Sequence, residues 1–205
     1  MRKIWLILAS IPLILTPFTG FTWWNFSIFS LLIFFRSKIE RWYEGIALPS
    51  WAKFILFFII FGYITEIFAI IDNMPKPPTE RALFSPYPLT DLYLAFGYYL
   101  AFAIVWYIIL RTFKFKYWEV FIIGGSFGIL FEQSGKILLS FNFLAWLYVF
   151  LVYGSFQASV PAIAENNLGK RDISTYKKII IGIIAEILAF ILAVALLWIL
   201  ELPIK

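Results

Sequence analysis

The amino-acid sequence predicts an all-α protein, a polytopic transmembrane helical bundle that uses the bilayer as its solvent. Three observations carry that reading. The 205-residue chain is 62% hydrophobic and only 14% charged, whereas a soluble domain is near half apolar and about a quarter charged. The apolar residues come in long runs rather than alternating, which favours helices over a transmembrane barrel. Lysines and arginines gather in the linkers between those runs, where they act as topology signals. At this length a single integral-membrane domain over residues 1–205 is expected.

The first apolar region runs from Ile4 to Phe35, too long for one span of about 20 residues. Breaks at Pro17 and Gly20 divide it into 4–18 and 21–35, either two short tilted passes or a re-entrant hairpin. Residues 11–17 offer no small-x-small cleavage site, and membrane sequence continues directly, so removal as a signal peptide is not expected. A span over 51–71 follows. The connector from Asp72 to Asp91 contains five prolines and should be extended with little helix. Further spans are expected over 92–110, 117–133, 141–162 and 179–200.

Orientation follows from the basic linkers. Residues 36–41 with Lys53, residues 111–116 and residues 169–178 are rich in lysine and arginine. The proline-rich loop holds Lys76 and Arg81, and the turn after residue 133 holds Lys136. The positive-inside rule makes the three basic linkers cytoplasmic, and two spans separate each neighbouring pair. With Arg2 and Lys3 also cytoplasmic, the chain crosses seven times and its C-terminus is external. If the first region crosses once, there are six spans and an external N-terminus. The cell membrane is the expected location.

The chain has no cysteine and no histidine. Disulfides, thiol nucleophiles, the usual zinc sites and histidine bases are therefore excluded. No Walker motif, aspartate-rich prenyltransferase motif or HExxH stands in it. The net charge of +5 comes from bases beside hydrophobic spans, which suits anionic lipid and gives no reason for a nucleic-acid partner. Besides the bilayer, other membrane proteins or further copies of the chain are the associations its composition allows. Trp23, Trp24, Trp42, Tyr43, Trp51, Tyr117, Trp118 and Trp198 fall at span ends, where an aromatic belt explains them. An aromatic cavity for a flat or polyprenyl ligand is the alternative.

Acidic residues inside the spans are the sharpest feature. Glu66 lies fifteen residues after Trp51, and Glu132 fifteen after Tyr117. Both are then about 22 Å from a cytoplasmic aromatic anchor, at one depth in the outer half of the membrane. Each follows Phe-Gly in the pattern F-G-x-x-x-E. Gly182 and Glu186 repeat the glycine–glutamate spacing closer to the cytoplasmic end. A glycine one turn before a glutamate leaves a gap on the same face, to be filled by a neighbouring helix or by a ligand. Burying an acid in hydrocarbon costs a few kcal/mol, so such groups normally face a bundle interior or wet cavity. Away from water the charged form is disfavoured, so an unpaired carboxyl carries a proton or exchanges it for a cation. For Glu132 the plainer account is an i,i+4 pair with Lys136, provided one helix runs through Gly135.

Asp72, Asn73 and Gln133 add oxygens near Glu66 and Glu132, an external mouth of the kind hard cations such as Ca²⁺, Mg²⁺ or Mn²⁺ take. A helix end in solvent explains Asp72 and Asn73 equally. No organic cofactor is expected. Glu165, Asn166 and Asn167 resemble a capped turn. Gly124, Gly125 and Gly128 suit close helix contact, and Ser126, Ser155, Gln157 and Ser159 interhelical hydrogen bonds. Asn25 to Ser27 matches a glycosylation acceptor that lies too near the membrane to be used.

These features favour transport of a proton, cation or small solute through an intramembrane carboxylate site. The alternatives are an intramembrane lipid- or isoprenoid-modifying enzyme with glutamate as general acid, or a structural or assembly subunit of a membrane complex. A polar vestibule favours transport, an aromatic slot the enzyme, and a lipid-facing glutamate the subunit.

Overall fold

The computed structural model describes residues 2–131, 135–164 and 168–201. Among them the secondary structure is helical, with no strand. Four helices are long and apolar enough to cross a membrane, Ser50–Asn73, Pro88–Thr112, Phe143–Ala164 and Thr175–Leu200. Three shorter apolar helices accompany them.

Helix α1 (Arg2–Thr19) runs through both Pro12 and Pro17, so the break expected at Pro17 falls at Gly20 alone. Gly20 has φ +82°, and a Cβ there would lie 2.6 Å from the Asp72 carboxyl. Only glycine accepts both conditions. The chain turns back as α2 (Trp24–Phe34), which packs on α1. Ser27 Oγ donates to the Ala9 carbonyl at 2.7 Å, and Trp24 Nε1 to Thr16 Oγ1 at 2.7 Å. At about 1.5 Å per residue, α2 covers roughly 16 Å.

The basic segment expected as a linker forms α3 (Arg36–Gly45). Its buried face carries Tyr43, and Lys53 Nζ caps its last carbonyls, those of Tyr43 at 3.2 Å and Glu44 at 3.3 Å. A cation at a helix C-terminus meets both the orphan carbonyls and the dipole. Helix α4 (Ser50–Asn73) follows, then the proline-rich connector, whose only described helix is a 3₁₀ turn at Pro78–Glu80. The connector is fastened as well as extended. Arg81 donates to the carbonyls of Lys76, Pro86 and Met74.

Helix α5 (Pro88–Thr112) starts four residues before the expected boundary, with proline in its first turn, where a missing N–H is harmless. That shift brings Asp91 inside the helix. Helix α6 (Tyr117–Phe131) ends in the described chain before Gly135, whose φ is +82°. Lys136 then opens the short α7 (Lys136–Leu139). The i,i+4 pair expected of Glu132 and Lys136 required one helix through Gly135, where the described backbone is left-handed; Glu132 itself lies outside the described residues. Helices α8 (Phe143–Ala164) and α9 (Thr175–Glu201) complete the bundle.

Helix α6 packs against α8, α5 against α9, and α4 against both α5 and α8. The α6–α8 contact uses the small residues expected there. A Cβ on Gly125 would sit 2.6 Å from the Phe150 carbonyl oxygen, and one on Gly154 2.7 Å from that of Phe121. The centre of α5, with Ala101, Phe102, Ala103 and Trp106, is wholly buried. At the end carrying the basic segments, Lys114 N–H donates to the Arg171 carbonyl at 2.8 Å. Lys178 there reaches Glu119 at 3.4 Å and Asp172 at 3.2 Å. Lys178 holds the exposed Asp172 carboxyl below its usual range, by hydrogen bond and by charge.

Candidate functional site

A cavity of about 720 Å³ opens at the other end of the bundle, where α4 and α6 finish and α5 and α8 begin. Its walls come from α4, α5, α6, α8 and α9, with the α1–α2 turn and the proline-rich connector at its rim. Glu66, Asp72 and Asn73, singled out from the sequence, all line it. Glu132 and Gln133 lie outside the described residues. Phe131, the neighbour of Glu132 in the chain, lines the cavity together with Glu66.

Glu66 is 6% exposed. Its Oε2 accepts a hydrogen bond from the Tyr99 hydroxyl at 2.7 Å. The Tyr99 ring lies on Gly62, in the space a Cβ would take. The glycine gap is thus filled by the side chain that orients the glutamate one turn later. Gly128 receives the ring of Tyr153 in the same way, 2.6 Å from where its Cβ would be, and Gly182 receives Ile123.

The carboxyl of Asp91 stands beside that of Glu66. Two carboxyls side by side and away from water resist ionising together, which favours one proton shared by the pair. Asp91 accepts from the backbone N–H of Ser85 at 3.0 Å. Asp91 is fully buried and stands behind Glu66 rather than in the cavity wall. The sequence reading missed it, having assigned it to the connector. A proline three residues upstream, the usual start of a helix, was the available signal.

Asp72 and Asn73 are occupied. Asp72 accepts from the Phe21 N–H at 2.7 Å, the Thr22 N–H at 2.8 Å and the Thr22 hydroxyl at 2.6 Å. It clamps the α1–α2 turn onto α4. Asn73 is 7% exposed. Its Oδ1 accepts from Lys76 Nζ at 3.0 Å and the Ala82 N–H at 3.1 Å, fixing the connector. No group of three or more acidic side chains converges as a cation site among the described residues.

Glu186 does not join Glu66. It is fully buried and accepts from Trp106 Nε1 at 2.9 Å and Gln157 Nε2 at 3.1 Å. Trp106 follows Tyr99 by seven residues of α5, about 10 Å along the helix. Glu186 is therefore the centre of a separate knot joining α5, α8 and α9. The interhelical role expected of Gln157 is met there.

The remaining cavity wall is aromatic. Phe84, Tyr98, Tyr99 and Phe156 form one run of ring contacts with centroids 5.1–5.3 Å apart. Phe127, Phe131 and Phe190 form another, beginning with a 4.1 Å stack. All seven line the cavity. Comparison with protein-family models, curated proteins and solved structures finds no match to this chain.

Proposed function

We propose that this chain is a proton-linked carrier of a small solute in the cell membrane, with Glu66 as the group that holds and releases the proton. The observation that carries the proposal is Glu66 itself, set in the wall of a cavity of about 720 Å³, bonded to Tyr99 and with Asp91 beside it. Cavities of about 300–1,000 Å³ suit small-molecule ligands. A carboxyl at the edge of such a cavity is reachable by both solute and water, whereas Glu186 is sealed. The positive-inside rule puts the cavity mouth outside, with seven passes and an external C-terminus. That Glu66 and Glu186 both find partners inside the chain speaks against a subunit role that rests on unpaired acids.

The test is reconstitution into vesicles holding a trapped pH dye, with amines, amino acids and sugars added outside. A carrier of this kind moves protons only when its solute is present. Equal solute-driven proton flux from wild type and Glu66→Gln would remove the glutamate from the mechanism. The aromatic wall favours a second reading, an enzyme in which Glu66 protonates an isoprenoid held among the rings. Turnover of such a lipid without any flux would select it.

A further inference from the structure

We infer that the cavity is a site for an organic cation, which takes the place of the proton on Glu66. The inference rests on the carrier reading and names its solute class. Two runs of rings enclose the space, and an aromatic face attracts a cation most strongly where water is displaced. Rings alone would accept any apolar molecule; the carboxyl among them selects the sign of charge.

The charge balance around Glu66 supports the same sign. Asp91 and Tyr99 on α5 stand beside it, Tyr98 on α5 and Tyr148 and Tyr153 on α8 share the cavity wall, and Tyr63, one turn earlier on α4, packs on Tyr99. Asp72 and Lys76 stand at the rim. Lys76 is held by Asn73, and its charge is offset by Asp72. The tyrosines are neutral. What remains among the described residues is the Glu66–Asp91 pair, with one proton and one negative charge. When a cation enters, the proton of the pair leaves to solvent, and the Glu66 carboxylate faces the positive ligand with Asp91 behind it. One proton leaves for each cation bound, and the charge of the site is unchanged. The hydroxyl of Tyr99 stays in place to hold the newly ionised Glu66.

Two ions of nearly equal shape and opposite charge provide the test: tetraphenylphosphonium and tetraphenylborate, each equilibrated with the full chain in a neutral detergent. The phosphonium is expected to bind saturably, one per chain, with release of about one proton in weakly buffered solution, and the borate is expected not to compete. Glu66→Gln should weaken phosphonium binding at least tenfold and abolish proton release. Glu186→Gln, remote from the cavity, should bind as wild type. Equal binding of the two ions, or wild-type phosphonium affinity in Glu66→Gln, overturns the inference. Proton-linked flux of a neutral solute without phosphonium binding would sink the cation site alone. Glu66-dependent phosphonium binding without any flux would sink the carrier reading alone.

Discussion

The ring of Tyr99 rests on Gly62, and its hydroxyl donates to Glu66 at 2.7 Å, one helical turn further along α4. Helix contact and carboxyl orientation are therefore one feature. Tyr99→Phe keeps the ring and removes the donor. A buried hydrogen bond to a carboxyl contributes about 1–3 kcal/mol, so the variant should fold with a lowered unfolding midpoint in detergent. Its phosphonium affinity should fall less than that of Glu66→Gln. Unchanged stability would mean that water replaces the hydroxyl.

Gly62→Ala would place a methyl inside the contact distance of the Tyr99 ring. The clash falls near the root of that side chain, so α4 and α5 must separate. Overpacking of this kind costs about 1–3 kcal/mol. Gly45→Ala, with nothing within 4 Å, is the matched control and should be neutral. Thermal unfolding of the two variants side by side measures the difference.

Glu186→Leu should be worse for stability than Glu186→Gln. The leucine leaves the Trp106 N–H and the Gln157 amide without their acceptor, and each orphaned buried donor costs about 1–3 kcal/mol. Glutamine preserves one oxygen. Neither change should alter ligand binding in the cavity beyond its effect on folding. A selective loss of phosphonium binding in Glu186→Gln would tie the two clusters together.

Asp72→Ala should free the turn at Gly20. Three donors lose their acceptor, and hydrogen exchange at Phe21 and Thr22 is expected to rise by at least tenfold while the α5 centre stays protected. Equal protection in the variant would show that packing of α2 on α1 holds the turn unaided.

The absence of native cysteine makes topology directly measurable. Single cysteines at Lys38, Arg111 and Lys170 should be shielded from an impermeant maleimide in intact cells. One at Thr79 should react. Labelling of Lys38→Cys from outside would reverse the orientation of α3 and of the spans that follow it.

The acids illustrate how far the sequence reading reached. Glu66 was recognisable because a charged group in an apolar run has few explanations. Asp72 and Asn73 line the same cavity, but their commitment to the α1–α2 turn and the connector involves residues up to 51 positions away. Asp91 was passed over because its proline-rich surroundings read as loop. Glu186 shares the glycine spacing of Glu66, yet the residue that fills the gap differs, Tyr99 at one and Ile123 at the other. Spacing records the gap and not its occupant.

By itself the sequence determined the solvent, the helices and the presence of costly acids, because hydrophobic run length and charge placement are local properties. Tertiary structure alone decided that Glu66 meets Tyr99 and Asp91 at a cavity while Glu186 is sealed between Trp106 and Gln157. The physical reason is that a buried carboxyl takes its character from donors on other helices, and which side chains meet across a bundle depends on rotation and depth that no single helix encodes.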